Sequence, residues 1–221
     1  MTLVRQAPYD GPKGMFIGTT NPGKVAEMAS LLAPLGIALH PVALDVAETQ
    51  DTFEGNAIEK ALAYANHTGG ITVSEDSGLL IPILDGLPGP WSARFADLDL
   101  ERKQVIPSAT PREEMDVLNN TRVIELLRDV EQPRRAAMFK VVLVVASPGE
   151  VLFRASAQCH GWIADAPRGA NGFGYDPIFV GQDTFGKTFA ELDSVRKNLR
   201  SHRKRVLDEF FVWASQHGRG L

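Results

Sequence analysis

Between the apolar run Met15-Phe16-Ile17 and a helical stripe that begins near Val25 stands the string Gly18-Thr19-Thr20-Asn21-Pro22-Gly23-Lys24. A glycine-bearing segment that leaves a buried strand and opens a helix constrains the chain to an α/β architecture. Backbone N–H groups and the helix dipole can then cradle phosphate at that strand end. The helix is marked by Pro22, favoured in a first turn, and by apolar Val25, Met28, Ala29, Leu31, Leu32 and Leu35, with Gly36 beyond its end. The string fills seven positions of the nucleotide loop G-x-x-x-x-G-K, but Val25 stands where a metal-binding Ser or Thr should follow. Any metal must therefore be held elsewhere. The plainer alternative is a strand–helix turn with a solvated Lys24.

Strand and helix periods continue to alternate. Ile37 to Val42 reads as a strand, and Thr52 caps a second helix whose stripe is Phe53, Ala57, Ile58, Ala61, Leu62 and Ala65, ending near Gly69. Ile71 to Val73 is a third strand that leads into Ser74-Glu75-Asp76-Ser77-Gly78, and Leu79 to Leu84 reads as a further short strand before turn-rich Asp85 to Pro90. A helix is expected over 113–130, and the β-branched run from Met138 to Ala146 is the strongest strand, turned by Pro148-Gly149 into a hairpin with Val151 to Gln158. Residues 165–174 should be a loop, and a last helix should follow Ser201 to about Gln216. This order predicts an α/β fold: an elongated mixed central sheet flanked by helices, with two lobes and a cleft between them. Residues 1–14 read as a polar extension and 15–221 as a single two-lobed unit.

Composition narrows the function. With 221 residues, 23 Lys plus Arg against 27 Asp plus Glu and a net charge of −4, the chain lacks the global basic field of a nucleic-acid polymer binder. Cys159 is the single cysteine, which excludes an intrachain disulfide and a zinc knuckle. No apolar run approaches the roughly 20 residues of a membrane span. A cytoplasmic protein with a local pocket for a small polyanion is the expectation.

Three polar groups could build such a pocket. Glu48 precedes the second helix, and Glu75 and Asp76 end the third strand beside the glycine loop, where ligands gather in α/β sheets. Neighbouring residues of an extended strand face opposite ways, so one carboxylate could face a metal and the other a water, particularly if the chain turns at Ser77-Gly78. Magnesium accepts one or two carboxylates completed by waters and phosphates. An ordinary polar turn is the bland alternative. Asn56 and Lys60, four apart, share a helix face that points either into the cleft or to solvent. In the third group, Gly172-Phe173-Gly174-Tyr175-Asp176-Pro177 offers aromatic rings for a base and a carboxylate for an N–H, while Lys197 and Ser201-His202-Arg203 put cations at a helix start.

Taken in order, these stretches resemble the inosine triphosphate pyrophosphatase family, the dITP/XTP pyrophosphatases. The resemblance rests on Thr19 to Lys24 with Glu27, Glu48-Thr49, Asn56 to Ala61 and Glu75 to Leu79. It extends through Gly86 to Pro90, Ser92-Ala93-Arg94, Gly172 to Pro177, Ala190-Glu191-Leu192, Lys197-Asn198 and Ser201 to Arg203. It implies a homodimer that requires Mg2+ and hydrolyses ITP, dITP or XTP to the monophosphate and pyrophosphate. Thr19, Thr20, Asn21, Pro22, Gly23, Lys24 and Lys60 would hold the triphosphate, Glu48 and Glu75 the metal, and Asp76 would accept the proton and also touch the metal. Ser77, Phe173, Gly174, Tyr175, Asp176, Lys197, His202 and Arg203 match nucleotide-binding positions. Two departures stand out: Glu75-Asp76 where many bacterial members carry Asp-Asp, and Gln50 for a frequent glycine. A Maf-type pyrophosphatase, a catalytically silent nucleotide sensor and a P-loop kinase or GTPase remain as alternatives.

Overall fold

A computed structural model of the protein describes residues 14–33 and 36–217. Residues 1–13 of the expected extension 1–14 and Leu35 of the first helical stripe lie outside the described residues, while Gly14 belongs to the first strand. Strand β1 (Gly14–Gly18) leads into helix α1 (Pro22–Leu32), then β2 (Ala38–Pro41), α2 (Phe53–Thr68) and β3 (Thr72–Leu80). A two-residue ladder of β4 (Leu98–Asp99) and β5 (Gln104–Val105) precedes α3 (Arg112–Leu126). The long hairpin β6 (Ala136–Ser147) and β7 (Glu150–Ile163) follows, then β8 (Phe179–Gly181), α4 (Ser194–Asn198) and α5 (His202–His217). The main sheet has the order β2-β1-β3-β6-β7-β8; β1 is parallel to both neighbours and every later pair is antiparallel, so the sheet is mixed as expected.

The β-branched run explains the centre of this sheet. Val141, Leu143 and Val145 of β6 pack with Met15, Ile17, Met28, Val73, Val206 and Phe210 under α1 and α5, while Val142, Val144 and Ala146 pack under Phe53, Ala57, Ala61 and Ala65 of α2. Period-two alternation thus buries both faces, which is why the run is apolar without a break. A third apolar cluster joins Leu79, Phe95, Val123, Phe139, Phe179 and Phe189 at the far end of the sheet.

Two expectations fail here. Glu75 and Asp76 do not end the third strand, and the alternative of a polar turn is absent: β3 pairs with β6 continuously from Thr72↔Ala146 to Leu80↔Met138, with Glu75↔Leu143 and Asp76↔Val142 in mid-register. The short strand expected over 79–84 does not exist either, because Leu79 and Leu80 finish β3 and Pro82–Leu84 forms a 3-10 turn. Pro82 lacks the N–H that a continued ladder needs. The helix expected over 113–130 ends at Leu126, and β8, α4 and the β4–β5 ladder were not anticipated.

Gly78 shows why β3 can run straight past the 3-10 segment Gly89–Asp97: a Cβ there would lie 2.2 Å from Ser92 Oγ and 2.7 Å from the Gly89 carbonyl. Ser92 Oγ in turn accepts the Leu79 N–H at 3.0 Å. Gly78→Ala should therefore push this segment off the strand and destabilise the fold by about 1–3 kcal/mol, the usual cost of overpacking. Urea unfolding of the variant against the wild type measures this, and an unchanged midpoint would refute it.

Candidate active site

The β1–α1 loop is fixed by Asn21, whose side chain accepts the Gly23 and Lys24 N–H groups at 2.9 and 3.2 Å, while the Asn21 N–H donates to Thr19 Oγ1 at 3.2 Å. Thr19, Thr20, Asn21 and Lys24 line a cavity; Pro22 and Gly23 support the loop from outside it. Gly23 is needed because a Cβ would sit 2.5 Å from the Phe173 ring.

Strand β3 delivers its two carboxylates to opposite sides. Glu75 faces α5: Arg203 Nε and Nη2 donate to it at 2.8–3.1 Å, the Ser77 hydroxyl donates at 3.1 Å, and Lys24 Nζ lies 3.2 Å away. Arg203 also reaches Glu27 at 3.1 Å and Ser77 Oγ at 2.9 Å. Asp76 faces α2. Asn56 Nδ2 donates to it at 3.2 Å, the Ser77 N–H at 3.0 Å, and Lys60 Nζ sits 3.4 Å from Asp76 and 2.5 Å from Glu48. The Asn56–Lys60 face therefore points inward.

These environments drive the adjacent carboxylates apart. Burial alone would raise Glu75, but Arg203 and Lys24 outweigh it and hold its acid form far below the ordinary range. Asp76 is raised, because burial and the nearby Glu48 outweigh the pull of Lys60, Lys24 and Asn56. For Glu48, burial is overcome by Lys60, which lowers it. Burial also lowers Lys24, despite Glu75. His202 is pushed well down, by burial first and Arg203 second, so the imidazole is neutral.

The 173–176 loop closes the other side. Phe173 lies under two cations, with Lys197 Nζ 4.7 Å and the Arg203 guanidinium 5.4 Å from its ring centre. Asp176 accepts the Phe173 N–H at 2.9 Å and pairs with Lys197 at 2.6 Å. Tyr175 is an anchor, its hydroxyl bonded to the Ser92 carbonyl at 2.9 Å, and Gly174 donates to Asp116 at 2.9 Å. Ser201 caps α5 through the Lys204 N–H at 3.1 Å, which seats His202 in the cavity wall, stacked on Phe139 with ring centres 5.0 Å apart.

The cavity thus gathers Thr19, Thr20, Asn21, Lys24, Glu48, Lys60, Asp76, Ser77, Phe173, Gly174, Tyr175, Asp176, His202 and Arg203. Glu75 and Lys197 stand behind that wall and hold its cations and its loop. Glu27, which sequence reasoning left outside the site, is buried between Arg203 and Lys197 at 3.1 and 3.6 Å. Its position three residues after Lys24 on α1 was the available signal.

A divalent cation fits one part of this set. Glu48 and Asp76 already share one positive centre, the Lys60 ammonium, so both reach a common cation position from α2's flank and β3. Among the described residues no group of three or more His, Cys, Asp or Glu side chains could hold a metal. Two carboxylates suit a magnesium ion that keeps waters and binds phosphate oxygens, not one caged by protein alone.

The Ham1 family model matches residues 15–213. The chain belongs to the Ham1 family. A dITP/XTP pyrophosphatase of Streptococcus thermophilus (strain CNRZ 1066) is 40% identical over 212 residues, covering 91% of this chain and 61% of that relative. The chain therefore spans less than two thirds of that protein. A dITP/XTP pyrophosphatase of Desulforamulus reducens is 39% identical over 198 residues, covering 87% of this chain and 91% of the relative. The solved structure of a HAM1 protein from Coxiella burnetii superposes with a TM-score of 0.75 at 32% identity, covering 92% of this chain and 98% of the other.

The buried Glu75–Arg203 pair gives a stability prediction. Removing one partner of such a pair strands the other charge, so Glu75→Gln should lose about 3–5 kcal/mol at neutral pH. Because the folded-state pKa of Glu75 is depressed, its stabilisation is complete above the ordinary carboxylate range and fades as pH falls below it. Urea titrations of both proteins from neutral to acid pH should show the gap narrowing; a gap that is absent at neutrality, or that widens in acid, contradicts the assignment.

Proposed function

We propose that the protein hydrolyses deaminated purine nucleoside triphosphates, ITP, dITP or XTP, to the monophosphate and pyrophosphate. One observation carries the reading: Lys24, Lys60 and the raised carboxylate Asp76 share a single cavity with the Phe173–Asp176 loop. The dITP/XTP pyrophosphatases among its relatives support the same reading.

Attack at the α-phosphorus requires charge neutralisation, an aligned water and a stabilised leaving group. Lys24 and Lys60 meet the phosphate oxygens, with the Thr19 and Thr20 hydroxyls beside them. Glu48 and Asp76 would hold a magnesium ion, which would supply further charge neutralisation on the phosphates. Asp76 takes the proton of the attacking water. Asn56 and the Ser77 N–H fix its orientation toward that water. Glu75, expected as a metal ligand, is better read as the counter-charge that fixes Arg203 and Lys24.

Arg203 supports the choice of base. Of its five N–H donors, Nε and both on Nη2 go to Glu75 and Ser77, and one on Nη1 goes to Glu27. One donor is left, which suits the 6-oxo acceptor of hypoxanthine or xanthine and would be stranded by the 6-amino group of adenine. Cleansing of the cytoplasmic nucleotide pool by a homodimer, with residues 15–221 acting as one two-lobed unit, completes the reading.

A nucleotide panel with magnesium tests it: pyrophosphate and monophosphate should appear from ITP, dITP and XTP and far less from ATP. Preferred turnover of dTTP, UTP or CTP would assign a Maf-type activity, and orthophosphate release would assign a different cleavage. In the same assay Asp76→Asn should lose roughly 10²–10⁴-fold in kcat, the contribution of a general base. Near-native turnover would remove Asp76 from that role.

A further inference from the structure

Arg112, the first residue of α3, was not among the expected site residues, yet it lines the same cavity. It differs from the other cations there. The side chains of Lys24, Lys60 and Arg203 are only 13%, 8% and 4% exposed and each is neutralised by internal carboxylates, whereas that of Arg112 is 44% exposed. Its Nε lies 2.9 Å from Asp116 Oδ1, one helical turn on, and Asp116 Oδ2 accepts the Gly174 N–H at 2.9 Å. The guanidinium is therefore tied by one edge to the loop that carries Phe173. Its two Nη groups have no hydrogen-bond partner among the described residues. Its charge acts on Glu48, which lines the same cavity.

A triphosphate brings more negative charge than cations already paired inside the protein can neutralise. We propose that Arg112 is a substrate-binding residue whose Nη groups hydrogen-bond the phosphate chain of the nucleotide. The proposal rests on the pyrophosphatase reading and adds a contact to it. A guanidinium held beside Asp116 by charge, with both Nη groups open, offers the planar pair of donors that phosphate oxygens accept best. The ion pair with Asp116 sets the direction of the fork, so Lys at this position would keep the charge and lose the geometry.

The test compares wild type, Arg112→Gln and Arg112→Lys. Arg112→Gln should raise KM for magnesium–ITP roughly 10- to 100-fold with little change in kcat, as loss of a charge-assisted bond made equally in ground and transition states would do. Inhibition by inorganic pyrophosphate should weaken by a similar factor, inhibition by IMP should weaken less, and Arg112→Lys should fall between. The side chain is half in solvent, so thermal unfolding of the variant should match the wild type. A KM and a pyrophosphate inhibition constant both within about twofold of wild type would overturn the proposal. If the wild type releases no pyrophosphate from any nucleotide, the functional reading fails separately. Equilibrium binding of magnesium–tripolyphosphate then decides Arg112 on its own: weaker binding by Arg112→Gln supports it, and equal or absent binding by the wild type and the variant overturns it.

Discussion

The ion pair between Glu75 on β3 and Arg203 on α5 joins residues 128 positions apart and lies wholly inside the protein. Two charges taken out of water are costly, and their attraction offsets that cost only when the remaining donors and acceptors are also satisfied. Here the pairing continues in both directions with alternating sign: Lys24, Glu75, Arg203, Glu27, Lys197 and Asp176 each touch the next. Its far end reaches Phe173 through the backbone N–H that Asp176 accepts. The β1–α1 loop, the central sheet, the last helix and the 173–176 loop are thus held in one electrostatic chain, and the cavity is the space it encloses. Such a chain resists rearrangement, because displacing any one member would strand a charge on each side of it.

Period-two geometry then divides the labour on β3. The face that carries Glu75 meets Arg203 and Lys24, and the face that carries Asp76 meets Lys60 and Asn56, which on the proposed reading separates scaffold from chemistry. Because the two carboxylates are neighbours on one extended strand, they cannot compete for the same partners. The fold uses this to push their acid constants in opposite directions, the usual sign that two carboxylates serve different roles. A turn at residues 77–78 would have destroyed that separation. The continuous ladder with β6 is therefore a requirement of the chemistry as much as of the fold.

What could be read from the sequence depended on whether the signal was local. The α1 loop, the Thr52 and Ser201 caps, the apolar stripe of α2 and the β6–β7 hairpin all follow from residues within one or two turns of each other, and all are present. Glu75 and Asp76 read as the end of a strand, and a turn stood as the alternative, because a polar run ordinarily limits a strand. Here its polarity is satisfied by partners on α2 and α5 far away in the chain. For the same reason Tyr175 could be seen as an aromatic available for stacking but not as a residue anchored to Ser92. Glu27 entered only as part of the resemblance and Arg112 not at all, because it is the tertiary structure that brings Arg203 against the one and the Gly174 loop, through Asp116, beside the other.

The β1–α1 loop also shows how a motif can match in letters and differ in physics. In a nucleotide P-loop the helix N-terminal N–H groups are left open for phosphate and a hydroxyl after the lysine binds the metal. In this chain Asn21 occupies the Gly23 and Lys24 N–H groups, and Val25 offers no hydroxyl. What the loop presents to the cavity is the Lys24 ammonium with the two threonines. Gly23 turns away to make room for Phe173 rather than for a phosphate. The glycine in that string is conserved in meaning only at the level of close approach: the group that approaches is an aromatic ring. On the proposed reading a metal would be served instead by carboxylates on β3 and before α2, where Asp76 and Glu48 share the Lys60 ammonium.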